Sequence, residues 1–385
     1  MLGFATYAAL LPELRDLWSL SNSQAGVVGG MFFAGYITTV SYWTARTDRI
    51  DARKVYLAGS MLAAAASAGF GLVADGFATA CAFQVLLGVG IAATYMPGLR
   101  LLSDRISGPA QSRYIAFYTS FFGIGTALSL AAAGLIAPAA GWRAAFVLSA
   151  LGPVAAGAMV WLFIDRADPA PGASPAKSLF PLRAWRKVLA NRAAAGYTLG
   201  YMFHCLELFG SRAWMVAFLA FSSTLHKGET FPWPPALIAA IVNVLAVPAS
   251  ILGNEVALRI GRRRWIMIAM VGSGASGIVL GLGAGWTWAI VLGLLVAYSM
   301  LVMAESATLT AGLVSAAPAS ERGAALGLYS IAGFGGGLLG PVVFGAALDA
   351  AGGADSVTAW AIGYAAIGAG CLAAPLVGRI RARSL

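Results

Sequence analysis

Near-continuous apolar runs of about 20 residues, separated by short polar breaks, recur along the whole chain. A helix needs about that length to cross a bilayer core, where every backbone polar group must be satisfied internally. Of the 385 residues, 59% are hydrophobic and only 10% charged. A soluble chain of that composition would need helices apolar on every face, so the composition implies a membrane fold. The runs predict an all-α integral membrane protein with twelve helices, at 1–16, 23–45, 54–75, 77–104, 112–137, 143–164, 192–221, 235–257, 264–284, 286–314, 323–348 and 357–379.

The second constraint is a parallel repeat. The basic loop Thr47, Asp48, Arg49, Ile50, Asp51, Ala52, Arg53, Lys54 is answered 210 residues later by Arg259, Ile260, Gly261, Arg262, Arg263, Arg264. At the same offset Gly123 answers Gly333, and Arg113 answers Arg322 within one residue. Two pseudo-symmetric halves are expected, 1–164 and 192–385, joined by a linker at 165–191 that holds Pro169, Pro171, Pro175 and Pro181.

A net charge of +10 raises nucleic acid as a partner, but the placement of the charges argues against it. Of the 25 Lys and Arg, all but Arg15, Arg143, Arg212 and Lys227 fall in or beside alternate connections. By the positive-inside rule those connections and both termini are cytoplasmic, which in a bacterial-type cell means the inner membrane.

Cys81, Cys205 and Cys371 lie far apart inside apolar spans and read as small core residues, with neither disulfide framework nor metal spacing. No cofactor is expected. The first apolar run, 1–12, reaches only about 18 Å at 1.5 Å per residue, so helix 1 is expected to be truncated and the true start to lie upstream of Met1. No basic region precedes it, unlike a cleavable signal peptide. Ser21, Asn22, Ser23 and Gln24 give a capped start to helix 2. The stretch 222–235, with Lys227, Glu229 and the run from Phe231 to Pro235, reads as an outer loop. Glycine is dense in helices 2, 4 and 11, where close helix packing is expected.

The loop around Asp48 and Arg49 resembles the signature of the major facilitator superfamily between helices 2 and 3, Gly-x-x-x-Asp-Arg-x-Gly-Arg, and the resemblance extends over essentially the whole chain. Here Thr44 replaces the first glycine, and Asp51 with Ala52 stands where one glycine is usual. In the second copy Leu258 takes the place of the aspartate while Arg259, Gly261, Arg262 and Arg263 match, and Glu255 one turn earlier is a substitute charge. The resemblance implies a gate made by Asp48, Arg49, Arg53, Glu255, Arg259, Gly261 and Arg262, with Asp48 engaging the neighbouring half to hold one of two states. The superfamily's arginine four residues before Gly88 is Gln84 here. A drug-antiporter Gly-Pro in helix 5 is missing, since Gly123, Ile124, Gly125 and Thr126 stand there and Gly340 with Pro341 lies in helix 11. The arginines that nitrate porters carry in helices 2 and 8 have no counterpart.

The resemblance also implies that helices 1, 4, 7 and 10 line a central cavity. An ionisable side chain in a span is costly without a partner or water, which makes each one a functional candidate. Glu207 lies about 22 Å and Glu305 about 18 Å from the cytoplasmic ends of their helices. Tyr95 is the repeat counterpart of Glu305. Glu207 is the first choice for loading and releasing a proton; His204, one turn earlier, reads equally as sharing that proton or as a satisfied structural histidine. Arg212 is placed near the outer edge, where snorkelling to headgroups is preferred over attracting an anion, and snorkelling is preferred for Arg100 as well. Asn243 is a solute contact candidate.

The expected function is therefore secondary active transport of a small organic solute by alternating access, with protons as coupling partners, by a monomer in the lipid bilayer. A nitrate- or cyanate-like anion permease and a drug efflux carrier are the alternatives within the same fold. A non-transporting sensor and an intramembrane enzyme built on His204 and Glu207 stand outside it; no nucleophile or metal set accompanies that pair, and the chain is not expected to be an enzyme.

Overall fold

The computed structural model describes residues 1–106, 109–166, 182–226, 231–318 and 321–382, excluding the side chains of 109–110, 112–113, 116, 119–120 and 375–382. Lys227 and Glu229, most of the expected linker, and the side chain of Arg113 lie outside the described residues. Among the described residues there is no strand, as a chain that must satisfy its backbone inside a bilayer requires.

Among the described residues, ten helical segments are long and apolar enough to cross a membrane. They include α2 (Asn22–Arg46), α3 (Ala52–Val73), α4 (Phe77–Ser103), α8 (Arg192–Leu225), α9 (Pro235–Ile260), α10 (Arg262–Leu282) and α13 (Arg322–Ala350). The segment Phe121–Phe163 covers two predicted helices. It runs through α5 (Pro109–Ser149), which turns at Gly141 with φ 83° and ψ 162°, and into α6 (Leu151–Phe163). Counting it twice and adding α1 (Thr6–Leu17), too short for the bilayer criterion, accounts for the twelve predicted helices. The predicted helix at 286–314 is one apolar span, 288–316, with a one-residue interruption at Glu305 between α11 (Trp288–Ala304) and α12 (Ser306–Ala316), where φ −95° and ψ −15° stay in the right-handed helical region. The last span opens α14 (Val357–Ala382).

Local chemistry sets the helix starts. Ser21 and Gln24 cap α2 reciprocally, Gln24 N donating to Ser21 Oγ at 3.1 Å and Ser21 N to Gln24 Oε1 at 3.0 Å. Asp51 begins α3 by accepting from Arg53 N at 2.9 Å, and Asn191 begins α8 by accepting from Ala193 N at 3.0 Å.

By contact density the chain forms two compact units, one of Met1–Leu10 with Met31–Pro181 and one of Leu11–Gly30 with Leu182–Leu385. In the first, α3 packs against α4, α5 and α6, with Phe70 stacked on Phe146 at 3.9 Å. In the second, α8 packs along α13 and α10 along α14, with Tyr201 stacked on Tyr329 at 3.8 Å. The α8–α13 contact is close because Gly340 faces the Leu206 carbonyl with no room for a Cβ, as the glycine density of helix 11 predicted.

The last part of the expected linker is not extended chain but an amphipathic helix, α7 (Leu182–Ala190). Val188 is buried among Ala194, Leu313, Ala325 and Tyr329, and Lys187 Nζ lies 3.4 Å from Glu321 Oε1. Burying one apolar edge ties this helix to the second unit.

Candidate functional site

Three ionisable groups meet inside the second unit. His204 and Glu207 stand one turn apart on α8, each 1% exposed, and Glu305, fully buried, occupies the break between α11 and α12 with φ −95° and ψ −15°. His204 Nδ1 lies 3.2 Å from Glu305 Oε1. Of the two roles open to His204 in the sequence, its contact is with Glu305 rather than with Glu207. The carboxyl of Glu207 turns elsewhere: its Oε2 accepts from Ser273 Oγ of α10 at 2.8 Å, and the Cys371 thiol of α14 lies beside it.

Neighbouring helices hold the break in place. Trp265 Nε1 of α10 donates to the Ala304 carbonyl at 3.0 Å. Gly253 of α9 lies against the same carbonyl so closely that any side chain would collide with it. The Nδ1–Oε1 contact is a hydrogen bond that either an imidazole N–H or a carboxyl O–H can supply, so the proton can sit on either partner without rearrangement. Glu305 Oε2 meets no donor among the described residues, which leaves a buried acceptor open to a proton or a water.

A second feature lies further along α8. Ser211, Arg212 and Met215 line a small cleft with Asn243 of α9 and Ser299 and Val302 of α11. Arg212 lies about 20 Å along α8 from the Leu225 end and is half-buried, so the snorkelling reading is withdrawn: its helix continues well beyond it. Its Nη2 lies 3.6 Å from Met303 Sδ, and no carboxylate pairs with it among the described residues. Asn243, 2% exposed, donates Nδ2 to the Ala239 carbonyl at 2.8 Å, while its Oδ1 and Ser299 Oγ have no hydrogen-bond partner there. Thus α8 presents a proton-holding cluster and an unpaired cation beside open polar atoms.

Residues 1–341 match the family model of the Major Facilitator Superfamily. The chain belongs to the major facilitator superfamily. It is 22% identical over 144 residues to the niacin transporter NiaP of Acinetobacter baylyi, a match covering 37% of this chain and 33% of that protein. It is 23% identical over 133 residues to organic cation/carnitine transporter 7 of Arabidopsis thaliana, covering 34% of this chain and 26% of that protein. These matches span a third or less of the length of either relative. Two solved structures resemble it over 97% of its length at 15% identity. One is a bacterial homologue of the human lysosomal transporter Spinster in an inward-facing, unoccupied conformation, with TM-score 0.75 and 91% of that chain covered. The other is the nucleoside transporter NupG, with TM-score 0.74 and 97% covered. At that identity the likeness shows the fold.

The superfamily's signature loop has its own geometry here. Asp48 Oδ1 accepts from Arg100 Nη1 at 2.7 Å, within the first unit, and Arg100 Nε donates to Asp104 Oδ2 at 2.9 Å. Asp48 thus engages its own unit, against the expectation that it reaches the neighbouring half, and Arg100 is an ion-pair partner rather than a snorkelling residue. Arg53 Nη2 donates to the Trp161 carbonyl at 2.8 Å with its guanidinium 5.1 Å from the Trp161 ring, while Arg49 is exposed. In the second copy Gly261 joins α9 to α10 at φ 95° and ψ 131°, a conformation open to glycine alone. Arg262 Nη1 donates to Ser315 Oγ at 2.6 Å, and Glu255 and Arg259 are exposed. Tyr95 stands in an aromatic group of the first unit, its ring 5.5 Å from Tyr118 and 5.9 Å from Phe122.

Proposed function

We propose that this protein is a secondary carrier that moves a small organic solute by alternating access, coupled to protons through Glu305, His204 and Glu207. The observation that carries the reading is the His204–Glu305 contact at the break between α11 and α12. Intramembrane carboxyl groups mark ion pathways in transporters because a charge inside the bilayer is costly without a partner or water. Net uptake or loss of a proton by these groups gives the site two charge states, and a group that favours one state of a two-state protein biases its equilibrium.

In this reading the halves 1–164 and 192–385 rock about the site, with 165–191 as the cytoplasmic connection, in a monomer of the bacterial inner membrane. Two carboxylates pin the ends of helices. Asp48 holds Arg100 on the cytoplasmic side. On the other side Asp349, near the end of α13, accepts from Asn22 N at 3.1 Å, Asn22 Nδ2 at 2.8 Å, Ser23 N at 2.7 Å and Ser23 Oγ at 2.6 Å. That carboxylate satisfies amides at the start of α2 and complements its dipole.

The test is proton movement in sealed proteoliposomes, reported by an internal pH dye, on adding pooled small solutes to wild-type protein and to the Glu305→Gln and Glu207→Gln variants. Solute-dependent proton flux in the wild type, lost in Glu305→Gln, is the expected result. Coupling unchanged in both variants would remove the cluster from its role, and silence from every pool would favour a sensor.

A further inference from the structure

We infer that the cleft at Arg212 binds the carboxylate of a small organic acid that also carries a hydroxyl or N–H donor. This rests on reading the chain as a carrier for a small organic solute and names the class of that solute. A guanidinium inside an apolar span is costly without an anionic partner, and its planar fork is shaped to grip a carboxylate through two parallel hydrogen bonds. Arg212 has no carboxylate partner among the described residues, only the thioether of Met303. The partner that fits arrives from outside.

The rest of the lining refines the class. Because Asn243 Nδ2 is committed to the Ala239 carbonyl, its Oδ1 faces the cleft as an acceptor. An acceptor opposite a bare carboxylate repels it, so the ligand must bring a donor to Asn243. Ser299 Oγ, also without a partner, can donate to the ligand or accept from it. In this conformation the cleft has a free volume of about 10 Å³, room for about one water, so the site must open to admit a ligand and the cargo is a small molecule. Arg212 and Glu207 lie about 7.5 Å apart along the axis of α8, so cargo and proton act on the same helix. The substrates named for the two relatives, niacin for one and organic cations or carnitine for the other, differ from each other and leave the class to the site itself.

The test is equilibrium binding by calorimetry to the full chain in nanodiscs, with lactate and mandelate as probes, mandelamide as the neutral control, and phenylacetate as the acid lacking the hydroxyl. We expect lactate or mandelate to bind and mandelamide not to. Arg212→Gln should weaken the acid about 10- to 100-fold, with Arg212→Lys between the two. Phenylacetate should bind about 5- to 10-fold more weakly than mandelate, and that difference should vanish in Asn243→Ala. Gel filtration checks folding; should Arg212→Gln aggregate, Arg212→Lys and Asn243→Ala carry the comparison. Failure of both hydroxy acids to bind, or equal affinity in Arg212→Lys and the wild type, overturns the site. Proton-coupled flux of a neutral or cationic solute with no acid binding also overturns it while leaving the carrier reading standing. Acid binding in nanodiscs without flux in vesicles supports the site and removes the carrier reading.

Discussion

Tyr95 and Glu305 occupy the same place in the two copies of the repeat, 210 residues apart, and their surroundings could hardly differ more. Around Tyr95, α4 runs unbroken from Phe77 to Ser103, and the ring packs among Tyr118 and Phe122. Around Glu305 the helix is interrupted for one residue, and the carboxyl takes an imidazole as its partner. The contrast extends to whole units. In the first, the buried polar residues within the helices are neutral among the described residues, such as Ser60, Gln84, Thr126 and Ser129; in the second, His204, Glu207 and Glu305 are all buried. Duplication supplied two copies of one scaffold, and charge in the membrane was concentrated in one of them. A buried charge is expensive wherever it stands, so confining it to one copy spares the other that cost.

The sharpest way to break this comparison is to neutralise each position. Glu305→Gln keeps the shape and removes the titrating proton, and solute-dependent proton flux should fall by about 100-fold or more, the scale of losing an essential proton-transfer group. Tyr95→Phe removes a hydroxyl from an aromatic group that packs through its ring and should stay within about twofold, the change expected from a loss of under 0.5 kcal/mol. A Tyr95→Phe effect as large as that of Glu305→Gln would mean that the units share the chemistry.

A smaller effect is expected at Asp349, which makes four hydrogen bonds to Asn22 and Ser23. Asp349→Asn keeps the size but loses the charge that complements the start of α2, a change of about 1–2 kcal/mol. Hydrogen exchange at the first turn of α2 should quicken about 5- to 30-fold in nanodiscs, since each 1.4 kcal/mol is a factor of ten. Unchanged exchange would show that packing, not Asp349, holds that turn.

What the sequence made legible follows from how far each signal depends on distant residues. Helix number and the capped start at Ser21 are local, set by apolar length and by polar atoms within four residues, and both are present in the structure. The break at Glu305 is not local. No glycine or proline stands near it, and it is held by Trp265 and Gly253 from two other helices, so a reading along the chain sees one continuous span. Arg212 was misplaced for a different reason. The polar run Ser222, Ser223 and Thr224 looks like a loop, yet Ser223 and Thr224 return their hydroxyls to carbonyls of their own helix at 2.6 and 2.7 Å, and Ser222 bonds the Ala284 carbonyl at 2.6 Å. With those hydroxyls satisfied, α8 continues to Leu225 and Arg212 lies deeper than its spacing suggested. Among the site's neighbours, Ser273 and Ser299 carried no signal at all, because a single serine in an apolar span is common packing material.

The smallest expected effect separates the two signature loops. Asp48 pairs with Arg100 at 2.7 Å in the first copy; at the same offset the second copy has Leu258 and Thr310, and Thr310 Oγ1 instead meets Tyr329 OH at 2.9 Å. Both members of the pair changed together, as expected of residues whose value lies in each other. The Asp48–Arg100 pair is partly exposed, so its contribution is screened to within about 1 kcal/mol, and Asp48→Asn should change the transport rate by no more than about fivefold. Leu258→Asp alone should do almost nothing, because no arginine waits at position 310 to receive it. Adding Thr310→Arg to Leu258→Asp rebuilds the pair in the second copy, and the rate of the double variant compared with each single one measures the coupling directly. If the pair acts by holding one state, the double variant should slow turnover where neither single one does. Should the two changes prove additive, the ion pair in the first copy is surface decoration, and the asymmetry between the copies rests on Glu305 alone.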